Sequence, residues 1–357
     1  MTNSQQDAPK SVCVLRLSAL GDVCNAVAAV QAVQRAYPAS HITWIIGKLE
    51  HQLVHDLPGI EFIVFDKRRG STAIKDLKQT LSGRRFDVLL QMQVAMRANR
   101  LAHLIPAKRK IGYDFKRAKE GHSLVVNERI PRLNPKDARQ HVLDSFLSFA
   151  MTLGASEEDC YPPRWNIAVS DEDKQFAYNY ILPSQPTAII CPAASKRERC
   201  WLPDRYTEVI HSLERKGIKT ILCGGPSELD YELARDIMAL TRVDVIDLVG
   251  KTSLKQLYAL LSKALFVLAP DTGPLHMANA AGRPCVGLYA HSNPARTGPY
   301  NSLDFVAEQY HEQLMLQQGK GADQLKWGLR VKGIDLMADI STQMVLQKID
   351  ALLCAKG

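Results

Sequence analysis

The stretch APDTGPLHMANAAGRPCVGLYA, residues 269–290, decides how this chain is read. An apolar run from Ala264 to Ala269 stops at Pro270-Asp271-Thr272-Gly273. His276 follows, then the small residues Ala278, Ala280, Ala281 and Gly282, then a second apolar run after Pro284. A strand, a turn and a helix that packs closely enough to need small residues make one repeat of a parallel α/β sheet. The turn aims the unpaired N–H groups of the helix outward from the strand end, where they and Thr272 make a site for an anion such as phosphate. Gly273 lets such a ligand approach the backbone, and His276 can donate to the same oxygens. An ordinary capped helix with a core histidine would have a similar sequence, so the turn alone leaves both readings open.

Outward from this stretch the same unit recurs. In the second half TAIICPA (187–193), IKTILCGG (218–225), VDVIDLVG (243–250), ALFVLAPD (264–271) and PCVGLYA (284–290) read as strands, with helices near 204–216 and 227–240. In the first half VCVLRL (12–17), HITWIIG (41–47), EFIVFD (61–66) and FDVLLQMQ (86–93) alternate with helical patterns at 22–37 and 71–83. Prolines 162, 163, 183 and 186 mark the junction. The expected fold class is therefore α/β, with two Rossmann-like parallel domains facing across a cleft, covering residues 1–168 and 169–325. A final segment, 326–357, contains an amphipathic helix at 334–353.

Composition sets the bounds. A chain of 357 residues with 46% hydrophobic and 23% charged residues is globular and long enough for two domains. Its net charge of +8 is confined to one half: residues 1–165 hold 24 Lys+Arg against 16 Asp+Glu, and residues 166–357 hold 21 of each. The first half is thus expected to meet something anionic. The polar start MTNSQQDAPKS has no apolar signal core, and no apolar run is long enough to cross a bilayer, which predicts a cytoplasmic protein. Eight scattered cysteines without a CxxC pair read as reduced core residues. No metal-ligand spacing occurs, so neither a metal nor a cofactor is expected.

Three more turns carry unusual residues. LSALGDV (17–23) follows the first strand and lacks the GxGxxG of a dinucleotide site. Its Asp22 is either an acid favoured by a helix N-terminus or a general base. CPAASKRERCWLPDRY (191–206) gathers Ser195, Lys196, Arg197 and Arg199 before a helix whose cap is expected at Asp204. It is either a solvated loop or a cationic clamp for a diphosphate. CGGPSELDYE (223–232) places Glu228 after a strand, where an acid suits ribose hydroxyls and Ser227 suits a helix cap.

Taken in order, LRLSALGDV, the basic loop ending in Trp and Pro, GGPSE and DTGPLHMANAAGRPCVGLY resemble the ADP-heptose:lipopolysaccharide heptosyltransferases of glycosyltransferase family 9, which have the GT-B fold. The likeness spans nearly the whole chain. RLSALGDVCNAVAAVQAVQRAYP, ITWIIGK and IGYDFKRAKEG look most like the heptosyltransferase I and OpsX-type group.

The resemblance implies an inverting, metal-independent transfer of heptose from ADP-heptose to a Kdo (3-deoxy-octulosonate) residue of lipid A, phosphorylated in the OpsX-type case. It makes Asp22 the catalytic base. Ser195, Lys196, Arg199, Glu228, Thr252, Asp271, Thr272, Gly273 and His276 would bind the donor, and Gln93, Lys116, Arg117 and Lys119 the acceptor. Arg199 stands where the family usually has lysine, and Trp-Leu-Pro replaces Trp-Pro, so either Arg199 or Lys196 serves the diphosphate. The final helix is expected to return to the first domain, and the enzyme to work at the cytoplasmic face of the inner membrane with peripheral contact. The competing classes are a later-core heptosyltransferase, an epimerase or other GT-B enzyme, and a non-enzymatic binder of anionic surfaces. No nucleic-acid motif is present.

Overall fold

Six short runs in each half, apolar in the central strands, form a fully parallel sheet. The computed structural model describes residues 8–132 and 141–355; the first seven residues of the polar start lie outside the described residues. The chain divides into two compact units, Met1–Ala168 and Val169–Gly357.

The first unit holds β1 (Ser11–Leu15), β2 (His41–Gly47), β3 (Ile60–Phe65), β4 (Phe86–Gln91), β5 (Ala107–Gly112) and β6 (Glu128–Arg129), in the order β3-β2-β1-β4-β5-β6. The second holds β7 (Thr187–Ile190), β8 (Lys219–Leu222), β9 (Val245–Asp247), β10 (Phe266–Pro270), β11 (Cys285–Tyr289) and β12 (Ala307–Glu308), in the order β12-β11-β10-β7-β8-β9. Counted within each unit, both orders are 3-2-1-4-5-6, the doubly wound Rossmann arrangement. The central strands are apolar on both faces because helices cover both. In the helix Leu20–Ala36 every residue from Val23 to Val33 is buried, and it packs on the helix Val142–Leu153.

The nine strands expected from sequence are present, β2 with the bounds expected, β1 and β3 starting one residue earlier and the rest shorter. The sequence reading gave no strand at β5, β6 or β12. β5 reads AKRKIG, and its cations hide an inner strand whose partners are charged too: Arg109 makes a two-pronged pair with Glu128 of β6 at 2.8 and 2.9 Å. The helix after the basic loop spans Pro203–Arg215 with Leu202 as its cap position; Asp204 sits in its first turn and is not the cap.

The last segment differs from expectation in what it packs on. Leu336, Met337, Ile340, Val345, Ile349 and Leu352 join the core of the second unit with Trp201, Tyr206 and Val209. Trp201 donates to the Ile340 carbonyl at 2.9 Å, and Lys216 pairs with Asp350 at 2.9 Å. The apolar face of Thr342–Cys354 finds its partner in the neighbouring helix Pro203–Arg215, which is itself strongly amphipathic.

A buried polar network ties β4 to the loop after β5. The Tyr113 N–H donates to His122 Nε2 at 2.9 Å, so Nδ1 carries the ring proton and donates to Asn99 Oδ1 at 3.1 Å. Gln91 Nε2 donates to the same Asn99 oxygen at 3.0 Å, and Asn99 Nδ2 donates to the Glu120 carbonyl at 2.9 Å. Burial, helped by the nearby Arg129 charge, pushes the His122 ring from 6.5 down to about 4.

A histidine depressed in this way contributes its full stability above the unfolded value of 6.5, and that contribution is lost as pH falls from there toward 4. The expected loss is about 3 kcal/mol. Selective histidine labelling and NMR titration should find His122 neutral at pH 5.5; a midpoint near 6.5 would contradict this.

Candidate active-site residues in each unit

Open α/β sheets bind ligands beyond the C-terminal ends of their strands, where the strand order reverses. In the first unit that point lies between β1 and β4, and Arg16, Asp22 and Gln93 meet there. Arg16 is buried immediately after β1. It pairs with Asp22, donates through Nη1 to the Met92 carbonyl at 2.6 Å, and lies 5.3 Å over the Phe146 ring. Trp44 holds the Arg16 carbonyl at 3.1 Å.

Asp22 stands in the first turn of the helix Leu20–Ala36, whose cap position, Ala19, offers no side-chain acceptor. Its carboxylate is therefore the acid that meets the positive helix end. It is gripped from behind by a charge-assisted hydrogen bond yet remains 38% exposed. A carboxylate oriented in this way and open on one side can take a proton from a bound hydroxyl.

Gln93 accepts from the Leu17 N–H at 2.8 Å and donates to Ser18 Oγ at 3.4 Å, which ties the ends of β4 and β1 together. Arg117 is engaged with Asp114, Ser145 Oγ at 2.9 Å and the Pro131 carbonyl at 3.0 Å. Lys116 and Lys119 are exposed and have no carboxylate partner among the described residues.

In the second unit the order reverses between β7 and β10, and a second arginine–aspartate pair sits there. Asp271 follows β10 directly. Its Oδ2 accepts from Arg199 Nη2 at 3.1 Å and Ser292 Oγ at 2.7 Å, and its Oδ1 lies 3.5 Å from the Tyr289 hydroxyl and 3.6 Å from His276 Nε2. Burial alone would push this carboxyl up. The hydrogen bond and charge of His276, the Ser292 hydroxyl and the Arg199 charge outweigh it and hold the group below the usual carboxylate range.

Thr272 is the cap position of the helix Gly273–Ala280, with Pro274 in its first turn. Its Oγ1 is buried and has no hydrogen-bond partner among the described residues, and it does not cap the helix, whose first N–H groups are therefore without a side-chain cap. The turn is thus a donor-rich edge with a fixed carboxylate behind it.

The basic loop resolves into two kinds of cation. Arg199 is mostly buried and also donates to the Asp271 carbonyl at 3.0 Å and Ser195 Oγ at 3.4 Å. Lys196 is 66% exposed and lies 3.5 Å from Glu198. The loop is anchored by Trp201 and by His291, whose Nε2 donates to the Glu198 carbonyl at 2.8 Å.

Glu228 is exposed in the first turn of the helix Glu228–Leu240; Ser227 caps that helix, and Asp230 holds the Gly225 N–H at 2.9 Å. Thr252, half-buried, precedes the Ser253–Gln256 capping box. These two lie after β8 and β9, on the same sheet edge as Asp271. Tyr289, His291 and Ser292 were missed from sequence. The polar triplet His291-Ser292-Asn293, one residue after buried β11, beside β10, was the signal available.

The profile of glycosyltransferase family 9 (heptosyltransferase) matches residues 74–327. The chain is 42% identical over 347 residues to the lipopolysaccharide core heptosyltransferase OpsX of Haemophilus influenzae, covering 97% of this chain and 98% of the relative. It superposes on the crystal structure of a family 9 glycosyl transferase from Veillonella parvula with a TM-score of 0.79, at 24% identity, over 97% of both chains. For the E. coli heptosyltransferase WaaC with ADP the TM-score is 0.72, at 21% identity, over 96% of this chain and 99% of that one. Its two doubly wound units form the α/β architecture of the GT-B heptosyltransferases, and the chain belongs to glycosyltransferase family 9, the heptosyltransferases.

Proposed function

We propose that this heptosyltransferase moves a heptose from ADP-heptose to a Kdo residue of a lipopolysaccharide core acceptor, with inversion at the anomeric carbon. The observation that carries the donor side is the Asp271 turn: Arg199 fixed at its edge, His276 beside it and the open helix end at Thr272–Gly273. A leaving diphosphate needs such preorganised donors as its charge grows. The name of the E. coli WaaC complex, which includes ADP, supports the nucleotide. Glu228 and Thr252, on the same sheet edge, are assigned to the ribose and adenine.

On the acceptor side Asp22 takes the proton of the attacking hydroxyl. That oxygen forms its bond to the anomeric carbon as the bond to the diphosphate oxygen breaks, and ADP leaves from the opposite face. The developing charge goes to Arg199, His276 and the helix N–H groups. Lys116 and Lys119 supply charge for the carboxylate and phosphate of the acceptor, while Gln93 and Arg117 hold the turns around it.

Competition separates this reading from a transferase that uses uridine nucleotides. ADP is expected to inhibit at concentrations at least about tenfold below UDP, because a site built for one base leaves polar groups unpaired with another. Equal inhibition, or no heptose transfer to any Kdo-bearing acceptor, would overturn it.

A further inference from the structure

Tyr231 is the fourth residue of the helix Glu228–Leu240 and is 43% exposed. Its ring lies across Gly250: a Cβ placed there would stand 2.2 Å from the hydroxyl and 2.6 and 2.7 Å from the ring carbons Cζ and Cε1. Gly250 also holds a φ of +70°, which favours glycine, so the backbone passes directly beneath the ring. Its N–H donates to the Gly224 carbonyl at 3.1 Å, which joins the loop after β9 to the loop after β8. The tyrosine thus sits where these two loops meet, at the C-terminal edge of the second sheet.

Its polar neighbours are already engaged. Asp230 is held by Ser227 and the Gly225 N–H, Glu232 pairs with Arg197 at 2.9 Å, and Lys251 donates to the Asp247 carbonyl at 2.8 Å. The Tyr231 hydroxyl has no hydrogen bond, and the ring no aromatic or cationic partner, among the described residues. An exposed tyrosine is ordinary by itself. This one is flanked by the two residues assigned to the nucleoside. Glu228 stands one turn earlier on the same side of the helix, and Thr252 lies two residues beyond Gly250.

We propose, on the reading that assigns ribose to Glu228 and adenine to Thr252, that Tyr231 is the stacking platform for the nucleobase of the donor. A base held between these two loops has polar edges to satisfy and flat faces to cover. Hydrogen bonds serve the edges. A rigid aromatic ring serves a face, with large contact area and few torsions to freeze. The Tyr231 ring is already seated on Gly250, so binding has little left to order. Stacking tolerates any base, because every base has a π-face. The platform therefore supplies affinity rather than base identity.

The test compares ADP with pyrophosphate, which has no base, on the full-length protein. Calorimetry reads ADP directly and pyrophosphate by its displacement of ADP. Tyr231→Leu keeps a side chain over Gly250 but removes the ring. ADP should then bind about tenfold more weakly, while pyrophosphate stays within about twofold of the parent. Tyr231→Phe should bind both ligands like the parent, because the hydroxyl is no part of the stack. The residue is on the surface, and circular dichroism melts of both variants should match the parent protein. Three results would overturn the proposal and leave the donor reading standing: a leucine variant that binds ADP like the parent, equal losses for ADP and pyrophosphate, or a phenylalanine variant as weak as the leucine one. A parent protein that binds no ADP would overturn the donor reading itself, and the platform with it.

Discussion

Replacing Asp22 with asparagine should reduce turnover at least ~100-fold, the usual reach of a general base, while ADP affinity stays nearly unchanged. The substitution keeps the shape of the side chain and an oxygen for Arg16, so the turn after β1 should survive it. What is lost is the ability to hold a proton. The affinity should survive because the nucleotide contacts are assigned to the second unit, around Asp271. Calorimetry with ADP and steady-state heptose transfer read the two quantities separately. Turnover within a few-fold of the parent would remove Asp22 from the chemistry. An equal loss in ADP affinity would mean that the first unit contributes to the donor site.

The second large effect concerns which cation serves the diphosphate. Arg199→Met is expected to lower turnover by roughly 10²–10³-fold, the magnitude seen when one preorganised charge donor at a transition state is removed. Lys196→Met should change it less than about threefold, because an exposed lysine that pairs loosely with Glu198 is screened by water. Arg199→Lys should recover only part of the loss, since a point charge cannot hold the Asp271 carboxylate and carbonyl while also facing a diphosphate.

Removing Arg199 also leaves Asp271 buried without its cationic partner. A stability loss of about 3 kcal/mol is expected for breaking a buried pair, visible as a lower melting temperature. The kinetic comparison should therefore be made well below that temperature. If Lys196→Met proves the more damaging, the loop uses its exposed cation and the Arg199–Asp271 pair is only a brace.

Much of this molecule was legible before any coordinates. Nine strands and the helices between them announce themselves through apolar runs broken at Gly and Pro, because a strand covered on both faces has no place for polar residues. The strands that escaped fail this rule for physical reasons. β5 carries Lys108, Arg109 and Lys110, whose charges are answered by Asp87, by Glu128 and by a helix carbonyl, and β6 and β12 are only two residues long.

The turns that bear chemistry were visible as types and order: an acid after β1, cations after β7, and Asp-Thr-Gly before a helix after β10. Their partners were not visible. Nothing in local sequence pairs Arg16 with Asp22 or Arg199 with Asp271, residues 72 positions apart in the second case. Nor does it distinguish Arg199 from Lys196, three residues earlier.

The sequence by itself therefore determined the two doubly wound halves, the family and the identity of the turns. These depend on periodicity and on residues that must sit beside each other along the chain. Only the tertiary structure decided which cation is built into the Asp271 turn, that Tyr289 and Ser292 support it, and that the last helix packs on the second unit. Each of these depends on strand order in a parallel sheet, where neighbours in space are separated by a whole crossover and often by more.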